Sequence, residues 1–194
     1  MATKDLNERT PSSDIPANEQ DLARRASSGD RRAFAALYDH HVDAVYRYAF
    51  FRLRTDAEAE DVTSEVFHRA LAAMPRYEPR RPFLAFLYTL ARNVIADQHR
   101  RRRPEASFED ALAHPSDMPG PDQIAVSTDD ARQLRAAIGR LTPLQQDVVV
   151  LRFLEDRSNK EIAAITGKPE ATIRGIQMRA LAALRDLLGA EVAR

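Results

Sequence analysis

The chain has 194 residues, 44% of them hydrophobic but only 7% aromatic, which fits one medium or two small domains with helical cores of Ala, Leu, Ile and Val. It contains no cysteine, which excludes disulfides, thiolate metal sites, cysteine nucleophiles and thiol redox sensing by the chain itself. Lys plus Arg and Asp plus Glu number 29 each, so the chain is not a uniformly basic nucleic-acid binder.

Residues 1–17 are polar and proline-punctuated and are expected to form a mobile tail. They hold no apolar h-region of a signal peptide, and no window is apolar enough for a membrane span, so the expected location is the cytoplasm. A short helix is predicted from Asp21 to Ser27, ending at Gly29. Arg31 to Leu53 follows as a long amphipathic helix, with Phe34, Leu37, Tyr38, Val42, Val45, Tyr46, Ala49 and Phe50 recurring at threes and fours. Thr55 is the natural N-cap of a helix running to Ala73, with Asp56 and Glu58 in its first turn. Pro75 ends that helix, Pro79 and Pro82 keep the next stretch irregular, and Pro82 to Arg101 forms another helix with Phe83, Phe86, Leu87, Leu90, Val94 and Ile95 available for packing. Residues 104–127, rich in proline, read as a linker that divides the chain. Beyond it, helices are predicted at Asp129–Gly139, Pro143–Leu154, Asn159–Ile165 and Pro169–Leu188, with Thr142 and Ser158 as N-caps and Glu161 completing a capping box. The fold class is all-α, in two small helical domains.

The neutral average conceals a segregation of charge. Arg76, Arg80, Arg81, Arg92 and Arg100 to Arg103 stand in one block against only Glu78 and Asp97, whereas Glu105, Glu109, Asp110, Asp117, Asp122, Asp129 and Asp130 follow with no Lys or Arg among them. Adjacent blocks of opposite sign suggest separate partners, or a linker that covers a basic surface until DNA displaces it. The basic block also holds aromatic residues, a combination suited to melted DNA, because rings stack on unpaired bases while arginine tracks phosphates.

Asn159 to Arg185 has the pattern of a helix-turn-helix. Ala163 falls where two crossing helices come closest, Gly167 can take the positive φ of the tight turn, and Ile173 can pack back on the first helix. Ile162, Ile165, Ile176 and Ala180 complete the apolar side, and Pro169 suits the first turn of the second helix. Lys168 stands directly after the turn glycine, where such motifs usually carry an apolar residue. The outward face then carries Glu170, Ala171, Arg174, Gly175 and Met178, polar and small residues that can approach base edges in a major groove.

A helical domain, an acidic linker and a helix-turn-helix domain, in that order, resemble a bacterial sigma factor of the sigma-70 family, extracytoplasmic-function type. The resemblance rests on GDRRAFAALYDHH at Gly29–His41, DAEAEDVTSEVFHRAL at Asp56–Leu71, FLAFLYTLARNVIADQHRRRR at Phe83–Arg103 and LTPLQQDVVVLRFLEDRSNKEIAAITG at Leu141–Gly167. It implies a region 2 domain over residues 18–103 and a region 4 domain over residues 128–190. It further implies binding to core RNA polymerase, recognition of promoter DNA, help in opening it, and an anti-sigma factor as a candidate partner. Polymerase docking is then assigned to the acidic ridge Glu58, Asp61 and Glu65 with Val62 and Phe67 beside it. Contacts to the −10 element, read as the DNA opens, are assigned to Arg80, Asn93, Asp97, Arg100 and Arg101, with the loop Pro75–Pro82 taking a flipped base. Contacts to the −35 duplex are assigned to Arg174 at a base edge or nearby phosphate, Glu170 and Ala171 on the face, and Lys160, Thr172 and Arg179 at phosphates. Phe86, Ile176 and Gln177 depart from the tryptophan, arginine and leucine commonest at those places, so a stacking role and a promoter sequence do not carry over.

An enzyme is the rival from another class. Asp39, His40, His41 and Asp43 form the one dense cluster of His and carboxylate, but adjacent helical histidines point about 100° apart, and a solvated helix face with no metal or other cofactor is expected. There is no glycine-rich phosphate loop and no nucleophile elbow. A free-standing helix-turn-helix regulator is the nearer alternative, and a purely structural interaction module a third.

Overall fold

The structure, a computed structural model of the chain, describes residues 17–78, 81–102 and 128–192. The expected tail before Ala17, the expected linker 104–127, and Arg80 lie outside the described residues. The described residues form helices and turns without strands, in two domains.

The first domain is four helices. Helix α1 (Ala17–Ser27) begins four residues before the sequence pattern suggests, because Glu19 turns inward from its first turn and its Oε1 accepts the Phe83 N–H at 2.8 Å. Gly29, at φ 94°, then reverses the chain, and Asp30 caps helix α2 (Arg31–Phe50) by accepting the N–H groups of Arg32 and Ala33. Helix α2 stops short of the expected Leu53. The Phe51 N–H donates to Arg47 O at 3.2 Å, and Phe51, Arg52 and Leu53 turn inward and become buried. Thr55 and Glu58 form a reciprocal capping box at the start of helix α3 (Asp56–Ala73), and Pro75 converts the next turn to 3₁₀ geometry over Met74–Arg76. Helix α4 (Phe83–Arg102) closes the group. Leu37, Val45, Val62, Val66, Phe83, Leu87 and Ile95 form its core at helical spacing.

The second domain starts with helix α5 (Thr128–Gly139). The Thr142 N–H and hydroxyl both donate to Gln145 Oε1, tying the start of helix α6 (Pro143–Val149). The sequence pattern implies one helix to Leu154. Instead α6 passes into a π-helical turn over Val150–Leu154, closed by the Glu155 N–H to Val150 O at 3.1 Å, and Asp156 ends it at φ 50°. Aspartate tolerates that left-handed conformation better than most residues. Helix α7 (Asn159–Thr166) and helix α8 (Glu170–Val192) complete the domain around Ile138, Val148, Leu151, Ile162, Ile173 and Ala180. Helix α7 packs against α4, and the π turn against α2, so the two domains are in contact.

Candidate nucleic-acid interface

Helices α7 and α8 form the expected helix-turn-helix. Ser158 and Glu161 make the capping box, and Gly167 takes φ 68° at the end of α7, where its N–H donates to Ala163 O at 2.9 Å. Ala163 packs against the core, and Ile162, Ile165, Ile173, Ile176 and Ala180 are buried between the helices, so the opposite stripe of α8 must face out. Ala171, Thr172, Arg174 and Arg179 are exposed, as is Lys160 on α7, and Met178 is 74% exposed. Glu170 is half-buried, and its carboxylate accepts from Arg174 at 2.7 Å. Lys168 is exposed after the turn.

On α4, Asn93, Asp97, Arg100 and Arg101 share one face at spacings of three and four. Asn93, Arg100 and Arg101 are exposed, while Asp97 accepts from Arg69 at 3.1 Å and also from Arg100. The Arg69 hydrogen bond holds the Asp97 carboxyl below its ordinary range. Tyr77, Phe83 and Phe86 cluster at the start of this helix, with Tyr77 and Phe86 ring centroids 5.0 Å apart. Burial pushes the Tyr77 hydroxyl up to about 12.

The ridge on α3 is acidic without an apolar contact surface beside it. Val62 and Phe67 lie in the core, 0% and 4% exposed, so they support the ridge from below and offer no contact surface. Glu58 Oε2 accepts the N–H groups of Arg54 and Thr55, and Glu65 pairs with Arg69 at 2.6 Å, while Asp61 is exposed.

The family model described as Sigma-70 region 2 matches residues 37–105, and that described as Sigma-70, region 4 matches residues 137–186. The ECF RNA polymerase sigma factor BldN of Streptomyces coelicolor is 40% identical over 185 residues, covering 93% of this chain and 70% of that protein. The chain belongs to the sigma-70 family, as a sigma factor of the extracytoplasmic-function type. Among solved structures, that of CnrH in complex with the cytosolic domain of CnrY has a TM-score of 0.71 at 26% identity, covering 89% of this chain and 98% of CnrH. That of the sigma factor RpoE in complex with the anti-sigma factor NepR from Bartonella quintana gives 0.68 at 24% identity, covering 80% and 96%, a likeness of fold. This sigma factor is therefore a non-enzymatic initiation factor that brings core RNA polymerase to promoters and assists DNA opening, and the free-standing regulator is not favoured. No described helix is long and apolar enough to cross a membrane.

Two groups of residues in the sigma factor escape the sequence reading. His41 is not on a solvated face: it is 4% exposed, its Nε2 lies 3.5 Å from Glu19 Oε2, and its ring tilts against Phe83. Glu19, His40 and His41 have donor atoms within 4.8 Å of one another, without Asp39 or Asp43, but Glu19 is already committed to the first amide of α4. The second group joins the domains. Asp147 is met by the Tyr48 hydroxyl at 2.6 Å, Arg52 Nε at 3.1 Å and Arg92 Nε at 2.9 Å. Glu155 receives Arg47 in two bonds of 3.0 and 3.1 Å and the Tyr88 hydroxyl at 2.7 Å. Burial pushes both tyrosines well above the ordinary phenol range, so they stay protonated and donate. Arg135 adds a third tie, donating to Leu53 O at 2.9 Å with its guanidinium 3.9 Å over the Phe50 ring. A Tyr at apolar spacing in α2 and an Asp beside four buried apolar residues were the available hints of this contact.

Proposed function

We propose that residues 18–103 dock on core polymerase and read the −10 element as it melts, that residues 128–190 read the −35 duplex, and that residues 104–127 link them. The exposed Ala171, Arg174 and Met178 on α8, with half-buried Gly175 between them, opposite the buried Ile173, Ile176 and Ala180 and shortly after the left-handed Gly167, carry this reading. Arg174 meets a base edge or adjacent phosphate, Glu170 and Ala171 shape the face, and Lys160, Thr172 and Arg179 hold phosphates. Asn93, Asp97, Arg100 and Arg101 line the −10 strand with Arg80. Glu58, Asp61 and Glu65 present the acidic ridge to polymerase, over Val62 and Phe67. The factor acts in the cytoplasm, where polymerase and promoters are. The likeness to a sigma factor solved with an anti-sigma factor supports a partner of that kind as the regulator.

Run-off transcription with core polymerase and fragmented host DNA tests the reading. New start sites sharing two spaced upstream motifs are expected. The assignments fail if substituting Arg174 leaves the upstream motif unchanged, or if substituting Asn93 and Arg100 leaves the downstream one unchanged.

A further inference from the structure

Asp147 and Glu155 belong to the second domain, yet they are only 2% and 4% exposed, because the first domain covers them. Eight positions apart on a regular helix they would stand about 80° apart. The π turn at Val150–Leu154 accommodates an extra residue and turns Glu155 back by roughly that angle, so both carboxylates meet the first domain. There Tyr48, Arg52 and Arg92 receive one carboxylate, and Arg47 and Tyr88 the other.

We propose that these two carboxylates are an autoinhibitory latch: in the free sigma factor they clamp the second domain on the first, and the clamped form cannot initiate. The inference rests on the assignment of the domains to the −10 and −35 elements. Those elements lie about 25 base pairs apart, which at about 3.4 Å per pair is roughly 85 Å of duplex. In the closed form the two readers touch: Arg81 Nη1, just before α4, donates to Ala164 O on α7 at 3.3 Å. One closed molecule therefore cannot engage both elements. The 25 residues between Arg102 and Thr128 reach at most about 85 Å when extended, enough for the domains to part to that span. The latch also occupies Arg92 and Tyr88, within the basic and aromatic stretch suited to single-stranded DNA. Buried ion pairs gain little net free energy over their hydrated partners, so such a contact can open when polymerase or DNA offers replacements.

The test uses the full-length chain with the double substitution Asp147→Asn and Glu155→Gln. Small-angle scattering should show a larger radius of gyration, and titration with core polymerase should show binding tighter by about tenfold. A compact variant with unchanged affinity would overturn the latch, as would opening without any gain in affinity. A second variant does not depend on how those substitutions fold. Since the chain has no cysteine, Asp56→Cys with Arg135→Cys, at the inter-domain ion pair of Arg135 Nη1 with Asp56 Oδ1 and outside the residues assigned to DNA or polymerase, accepts a cleavable thiol cross-linker that holds the domains closed. The cross-linked protein should lose at least tenfold in initiation and recover it on cleavage, and full activity while cross-linked would refute autoinhibition. If the cleaved chain binds polymerase but starts nowhere, the promoter assignment fails, while scattering and affinity still decide the latch.

Discussion

Gly175 lies inside the recognition helix α8, and replacing it with alanine should make the protein more stable and a poorer DNA binder at once. Glycine inside a helix costs about 1 kcal/mol relative to alanine. A Cβ added at Gly175 meets nothing within 4 Å, so no packing inside the chain explains the residue. The free Gly175→Ala protein should therefore melt about 2–5 °C higher. Gly175 is half-buried between the exposed Arg174 and Met178, and if this stretch enters the groove as proposed, an added methyl would hold the helix off the groove floor. Loosening one bidentate base contact costs about 1–3 kcal/mol, or roughly 5- to 150-fold in affinity. Thermal melting followed by circular dichroism, and fluorescence anisotropy with the −35 duplex found by run-off transcription, measure the two effects. A variant that gains stability and binds the duplex like the parent would show that Gly175 does not face DNA, and would sink the orientation given to α8.

The other predictions concern the turn, the core, the contacts and one buried acid. Gly167→Ala, at φ 68°, should cost about 1–2 kcal/mol, read as a lower melting temperature of the second domain. Ile173→Ala removes a fully buried side chain under the recognition helix and should cost about 2–5 kcal/mol, abolishing −35 binding through loss of fold, which circular dichroism would register. Arg174→Ala should relax base preference at one position, whereas Lys160→Ala should weaken all duplexes alike and lower the salt slope by about one; equal effects on specificity would contradict the division of roles. Burial alone would raise the Glu19 carboxyl, but the His41 contact and the Phe83 N–H outweigh it and hold the group below its ordinary value of 4.5. The folded value is the lower one, so Glu19 stabilises fully above pH 4.5, and that contribution disappears as pH falls through the folded value. Denaturant melts from pH 7 to pH 3 should show a shallower acid limb for Glu19→Gln, and an unchanged limb would refute the assignment.

Local rules made the helices legible. Thr55 with Glu58 and Ser158 with Glu161 are complete capping boxes within four residues of sequence, and Gly167 marks the turn because few other residues accept positive φ. The structure departs from local pattern where long-range contacts compete with local ones. Helix α1 begins early because Glu19 is drawn to the amide of Phe83, 64 positions away, and the helix expected to reach Leu154 gives way to a π turn that carries Glu155 to Arg47 and Tyr88. For the candidate site the outward face of α8 could be derived from periodicity, since burying Ile173, Ile176 and Ala180 obliges Arg174 and Met178 to face out. Periodicity alone could not tell that Val62 and Phe67 lie under the acidic ridge, because a helix packed on several sides buries more than one stripe.

An all-α sigma factor with a helix-turn-helix was legible from local patterns alone, because spacing, caps and breakers act within a few residues and the motifs extend over both domains. The meeting of the domains was decided only in three dimensions. Tyr48 and Asp147 are 99 positions apart and Arg47 and Glu155 are 108 apart, and no local rule links side chains across such distances. Their pairing follows from packing, which removes both carboxylates from water and leaves the arginines and tyrosines of the first domain as the donors that offset the loss.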